Sequence, residues 1–118
     1  MSINPPLIDQ SELPEVITRY LSAHKAHDLD AAIECYTIDG SVTDEGRTYK
    51  GPQEIRAWLL RSASEFTYTI EVVGATKSSD AHFDVLHYLE GNFPGGTVDL
   101  HFRFVLREGK IAQLVIEE

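Results

Sequence analysis

Three side chains stand where alternation or helical spacing turns a reactive group inward: Asp44, Tyr20 and His87. Val42 and Asp44 lie two apart in Ser41 to Asp44, a stretch that reads as a short strand, so they share one side. With Val42 packed inward, Asp44 points to the interior, where apolar walls disfavour its charge and make it a better base. The same carboxylate also suits a plain turn residue bonded to a backbone N–H, because Asp44-Glu45-Gly46 is a turn signal. Tyr20 lies on the apolar stripe of a helix, where a phenol can donate to a developing oxyanion or simply fill the core. His87 alternates with apolar Phe83, Val85 and Leu89 on an inward face. A lone inward histidine is often a satisfied structural group, but beside Asp44 it forms a pair able to move a proton or activate water.

The elements that must position these groups follow from periodicity. Residues 1–10, with Pro5 and Pro6 adjacent, read as an extended arm. Residues 11–118 read as a single domain. Ser11 is placed to cap a first helix, with Pro14 in its first turn and Leu13, Val16, Ile17, Tyr20, Leu21 and His24 on one stripe. Asp28 or Asp30 starts a short second helix whose inner face is Ala32, Ile33 and Tyr36. Gly51-Pro52 opens a third, with Ile55, Trp58 and Leu59 inward. After residue 65 the period becomes two. Four strands follow, around 66–72, 83–89, 98–106 and 112–116, separated by turns at Lys77–Asp80, Pro94-Gly95-Gly96 and Glu108-Gly109. Helices first and a meander of long strands afterwards predict an α+β domain, its three N-terminal helices closing over a curved antiparallel sheet. Tyr36, Trp58, Phe66, Phe102 and Phe104 supply the aromatic core, and some of them should line a pocket. The opposite sheet face carries Val73, Leu86, Tyr88 and Val105, more apolar surface than a solvated face needs, so a homodimer through it is expected.

Composition narrows the partners. The chain has 118 residues, enough for one domain, and a formal net charge of -9. That field repels phosphate backbones and anionic lipid, so neither nucleic acid nor membrane is expected. Cys35 is the single cysteine, which excludes an internal disulfide and a cysteine-rich zinc site. The five histidines show no metal-ligand spacing and no glycine-rich phosphate loop occurs, so no metal or cofactor is expected. Met1 to Gln10 is unlike a signal peptide, and no window approaches the roughly 20 apolar residues of a membrane span, so a cytoplasmic protein is expected.

One stretch carries a family resemblance. Arg19-Tyr20, His27-Asp28-Leu29-Asp30-Ala31-Ala32-Ile33, Val42-Thr43-Asp44 and Tyr49-Lys50-Gly51-Pro52-Gln53-Glu54-Ile55 are similar to the first half of the nuclear transport factor 2-like superfamily. The nearest branches are the SnoaL-like proteins and ketosteroid isomerase. The resemblance implies a cone-shaped, cystatin-like roll with a small-molecule pocket, and usually a dimer. It also implies that Asp44 matches the proton-shuttling aspartate of the isomerase and Tyr20 its oxyanion-hole tyrosine. The second carboxylic acid of the isomerase is absent, since its matching position falls on or next to Phe102, which argues against steroid isomerisation. Members of this superfamily span isomerases, cyclases, dehydratases and non-catalytic binders. The expectation is therefore a pocket for a small apolar or weakly polar molecule. Either acid–base isomerase, cyclase or hydratase chemistry on that ligand, or a non-catalytic binding or dimerisation module, is compatible with it.

Overall fold

The helical half is built by local rules acting on an amphipathic pattern. A computed structural model describes residues 7–65 and 67–118; the expectations for residues 1–6 of the arm and for Phe66 lie outside the described residues. Leu7 bridges Thr76, and the Ile8 amide donates to the Ala75 carbonyl at 3.0 Å, so the end of the arm pairs with a sheet edge. Ser11 does not cap the first helix. Asp9 instead accepts from the Ser11 amide and caps a single 3-10 turn, Gln10–Glu12. Helix α1 then runs Glu15–Lys25, with Pro14 at its N-cap and Ile17, Tyr20 and Ala23 buried. Helix α2, Leu29–Glu34, is capped by Asp28, whose Oδ1 accepts from the Ala31 amide at 3.2 Å. Helix α3, Gly51–Glu65, starts as its Gly-Pro opening predicts and turns Ile55, Trp58 and Leu59 to the core. At its entry Glu54 accepts from the Lys50 amide at 3.0 Å.

The sheet has six strands: β1 Tyr36–Asp44, β2 Arg47–Lys50, β3 Tyr68–Ser79, β4 His82–Gly91, β5 Thr97–Arg107 and β6 Lys110–Glu117, in the order β2-β1-β6-β5-β4-β3. Three expectations are corrected. Tyr36 belongs to a strand and not to the inner face of α2, because the helix ends at its Cys35 cap and the chain then extends. The short strand expected at 41–44 is the end of a nine-residue one, and Arg47–Lys50 is a strand as well. The sheet is mixed and not wholly antiparallel, since β1 runs parallel to β6 while its other neighbour contacts are antiparallel. A bulge between Val72 and Gly74 resets the alternation in β3, so Val73 is half exposed and Ala75 is buried.

The inner face takes the helices and holds the core: Phe83 and Val85 of β4, Phe102 and Phe104 of β5, and Ile111, Leu114 and Ile116 of β6, packed against Ile17, Tyr20, Ile55 and Trp58. The outer face carries Leu86, Tyr88 and Val105 partly exposed, around a polar centre in which Asp84 accepts from His101 and Arg103 reaches Glu117. Among the described residues no helix is long and apolar enough to cross a membrane.

Candidate active site

Strand β1 delivers Asp44 to the edge of a cavity. Val42, two residues earlier, is fully buried, and alternation turns Asp44 to the same inner side. Glu45 and Gly46, both in the left-handed region, then close a two-residue hairpin into β2. The carboxylate lines a cavity of about 670 Å³, whose other walls come from α1, α3 and the sheet. That volume is within the range of small-molecule sites, roughly 300–1,000 Å³. Trp58, the single tryptophan, reaches across from α3, and its indole N–H donates to Asp44 Oδ2 at 3.0 Å. Burial outweighs that bond and holds the Asp44 carboxyl above the usual carboxylate range, with the Glu45 charge adding to the effect.

The other expected residues divide between the cavity and the core behind it. Trp58 and Phe102 line the cavity with Asp44. Tyr20 is inward as expected but fully buried, and its hydroxyl accepts a bond from Tyr36 at 2.8 Å. The two phenol rings meet edge to face, and Phe104 packs edge-on against Tyr20, so Tyr20, Tyr36 and Phe104 form a sealed aromatic cluster away from the cavity wall. Their burial drives both phenol pKa values upward. His87 is inward too, only 2% exposed, with its ring centroid 4.2 Å from that of Phe102. Among the described residues its Nδ1 has no hydrogen-bond partner and Asp44 bonds Trp58 and not His87, so the expected Asp44–His87 pair does not form. Burial lowers the His87 pKa to about 4. Phe102, which this histidine touches, lines the cavity, whereas His87 is not among the lining residues.

Two polar groups on the cavity wall were not singled out from sequence. His24 follows Tyr20 by one helical turn and so shares its face of α1. Its ring lies 6.2 Å from Trp58 and 6.0 Å from Phe102, and burial, followed by the nearby His27, lowers its pKa to about 4. The imidazole is neutral at physiological pH. Tyr68 opens β3 and faces the same space, half-buried, its phenol pKa raised by burial and then by the negative charge of Asp44. Gly91 permits its close packing there: a Cβ at that position would stand 2.6 Å from the Tyr68 Cβ and 2.5 Å from the Thr67 carbonyl. Thr67 and Asn92 lock the same corner with reciprocal hydrogen bonds of 2.9 and 3.1 Å. The sequence signals were available, since His24 lies on the apolar stripe and Tyr68 alternates with inward Ile70.

The rest of the lining combines apolar side chains with the hydroxyls of Thr43, Ser62 and Thr97 and four exposed glutamates. Ile70, Leu89 and Leu100 line it together with Trp58, the exposed glutamates are Glu45, Glu65, Glu117 and Glu118, and no lysine or arginine is among the described lining residues. Among the described residues no group of three His, Cys, Asp or Glu side chains converges to hold a metal ion.

Comparison with known proteins agrees with this architecture. The model of the SnoaL-like domain matches residues 17–114. The chain belongs to the SnoaL-like domain family. A crystal structure from Sinorhizobium meliloti, assigned as a polyketide cyclase, is 30% identical over 93% of this chain and all of that one, with a TM-score of 0.87. A protein from Catenulispora acidiphila with a ketosteroid isomerase-like fold, bound to trimethylamine, is 19% identical over 89% of this chain and 85% of that one, with a TM-score of 0.77. A Mycobacterium tuberculosis protein in complex with estradiol-17beta-hemisuccinate is 16% identical over 87% and 90%, with a TM-score of 0.73. At 19% and 16% identity the last two establish a shared fold. No curated protein matches the sequence.

Proposed function

We propose that this SnoaL-like domain binds a small, uncharged, largely apolar carbonyl compound and moves a proton on it, with Asp44 as the general base. The observation that carries this reading is a carboxylate held above its usual pKa at the wall of an apolar cavity of about 670 Å³. Such a group has the basicity and access to take a proton from carbon next to a carbonyl. The C–H pair would pass to the carbonyl oxygen as an enolate, and Asp44 would return the proton to the same or another carbon, completing an isomerisation or the first step of a ring closure. The acidic rim and the lack of cations among the described lining residues favour a neutral ligand over an anion. The assigned polyketide cyclase and the steroid complex among the similar structures support a small, largely apolar ring compound as the ligand class.

2-Tetralone, a neutral bicyclic ketone with acidic α-protons, tests the reading without a known substrate. Binding should change the fluorescence of Trp58, and NMR in D₂O should show α-proton exchange faster with protein than without. Asp44→Asn keeps the shape of the site and should reduce that exchange by about 10²–10⁴-fold while binding persists. Binding with no protein-dependent exchange would favour a non-catalytic carrier, and no binding would remove the reading altogether.

We further infer that a second copy of the chain covers the outer sheet face. Val73 is half exposed there, and Leu86, Tyr88 and Val105 are partly exposed beside it. A stable contact of this kind would bury more than about 1,000 Å² in total. Sedimentation of a monomer at micromolar concentration would count against it.

A further inference from the structure

If Asp44 supplies the base, something must hold the carbonyl oxygen where negative charge develops. Tyr20 is the residue its helix position suggests, but its hydroxyl is sealed in the core and engaged by Tyr36. On the wall shared by α1 and β3, two groups offer an N–H or O–H to the cavity: His24 and Tyr68. Among the described residues, neither side chain makes a hydrogen bond that would compete with a ligand, in contrast to Asp44, which Trp58 already engages. Tyr68 is also closely packed at its strand end, against Gly91 and beside the Thr67–Asn92 bonds.

We propose that Tyr68 and His24, and not Tyr20, form the donor side of this cavity and hold the ligand's carbonyl oxygen opposite Asp44. The inference rests on the reading of Asp44 as base and names the partners that reading lacks. Tyr68 is the principal donor. Its phenol stays protonated at neutral pH, because burial and the Asp44 charge both raise its pKa, so it can donate to an enolate oxygen without losing its proton to solvent. His24 presents a neutral imidazole, and one ring N–H shares the same oxygen. A neutral donor suits a site without lining cations, since it stabilises the developing charge without attracting anionic competitors. The ligand skeleton then lies against Phe102, Leu100 and Ile70, within reach of Asp44 Oδ1. In the chemical step the α C–H bond breaks toward Asp44, the electron pair moves onto the carbonyl oxygen, and the Tyr68 hydrogen bond shortens. The proton on Asp44 returns to carbon, so no oxidant, reductant or co-reactant is consumed.

The test uses the full chain and 2-tetralone labelled with ¹³C at the carbonyl. Bound to the wild type, the carbonyl stretch should move to lower frequency than in an apolar solvent, and Tyr68→Phe should return most of that shift. The same variant should slow α-proton exchange by about 10- to 10³-fold, with Trp58 fluorescence showing the ketone still bound. His24→Leu should lose a smaller part of both. Tyr20→Phe should leave the carbonyl stretch unchanged. A stretch unmoved by Tyr68→Phe but restored by Tyr20→Phe would overturn the assignment while leaving Asp44 as base. A wild type that binds the ketone but does not accelerate exchange would fail at the proposed function instead, and the stretch in Tyr68→Phe would still decide whether Tyr68 contacts the oxygen. A wild type that does not bind the ketone would overturn both.

Discussion

His87 places an unpartnered Nδ1 in the interior, and this makes acid sensitivity a quantitative property of the fold. Burial lowers its pKa to about 4, with the Val85 backbone opposing the shift and His24 adding to it. An unfolded histidine titrates near 6.5. Between those values the unfolded chain binds the proton and the folded chain does not, so the contribution to stability is intact above about pH 6.5 and is lost as pH falls toward 4. At pH 4.5 this linkage amounts to about 2.5 kcal/mol relative to pH 8. His87→Leu removes the titration and the unsatisfied nitrogen together. At pH 8 the variant should be as stable as wild type or more stable by about 1–2 kcal/mol, since an unpaired buried polar atom costs about 1–3 kcal/mol. The difference should widen by about 2.5 kcal/mol at pH 4.5. Urea unfolding of both proteins from pH 8 to 4.5 measures it, with equal m-values required for the comparison. His24 contributes a slope of the same sign to both proteins, and Asp44 one of opposite sign, so the variant-minus-wild-type difference is the quantity to read. Parallel pH profiles would refute the reasoning.

Further outcomes follow from the same geometry. Trp58→Phe removes the donor to Asp44 Oδ2, so the Asp44 pKa should rise further and the midpoint of any Asp44-dependent exchange should move to higher pH. Gly91→Ala sets a methyl group against the Thr67–Tyr68 backbone, and thermal unfolding should show a loss of stability of about 1–3 kcal/mol, with slower ketone exchange because Tyr68 moves. Leu86→Glu should weaken self-association in sedimentation while leaving ketone binding intact, because Leu86 lies on the face away from the cavity.

Much of this arrangement was legible in the chain, and the parts that were not share physical causes. The Val42–Asp44 alternation and the inward run Phe83, Val85, His87 and Leu89 hold, because a half-buried strand must keep its period. Helix α3 begins at Gly51-Pro52 as that dipeptide requires. Tyr36 was assigned to a helix because 32, 33 and 36 fit helical spacing as well as they fit a helix end followed by a strand. The parallel pairing of β1 with β6 is a long-range contact with no local signature. Alternation also reports only which side a residue faces, and not how deep it lies along the cavity. Tyr20, Tyr36 and Phe104 are therefore inward yet sealed in the core, while Trp58 and Phe102 are inward and line the space. The same blindness hid His24 and Tyr68, which look like ordinary members of an apolar stripe and an inward strand face until the cavity is seen.

Asp44 as a desolvated base held by Trp58 in the cavity has one decisive signature, its titration. Carboxyl ¹³C NMR of the protein, followed with the indole N–H resonance of Trp58, reports both partners of the 3.0 Å bond. Asp44 should show a midpoint above the ordinary value of about 3.9, the Trp58 resonance should titrate with the same midpoint, and Asp44→Asn should abolish that transition. An Asp44 midpoint at or below the ordinary value, with a Trp58 resonance indifferent to it, would contradict the account and leave Asp44 an ordinary residue of the β1–β2 turn.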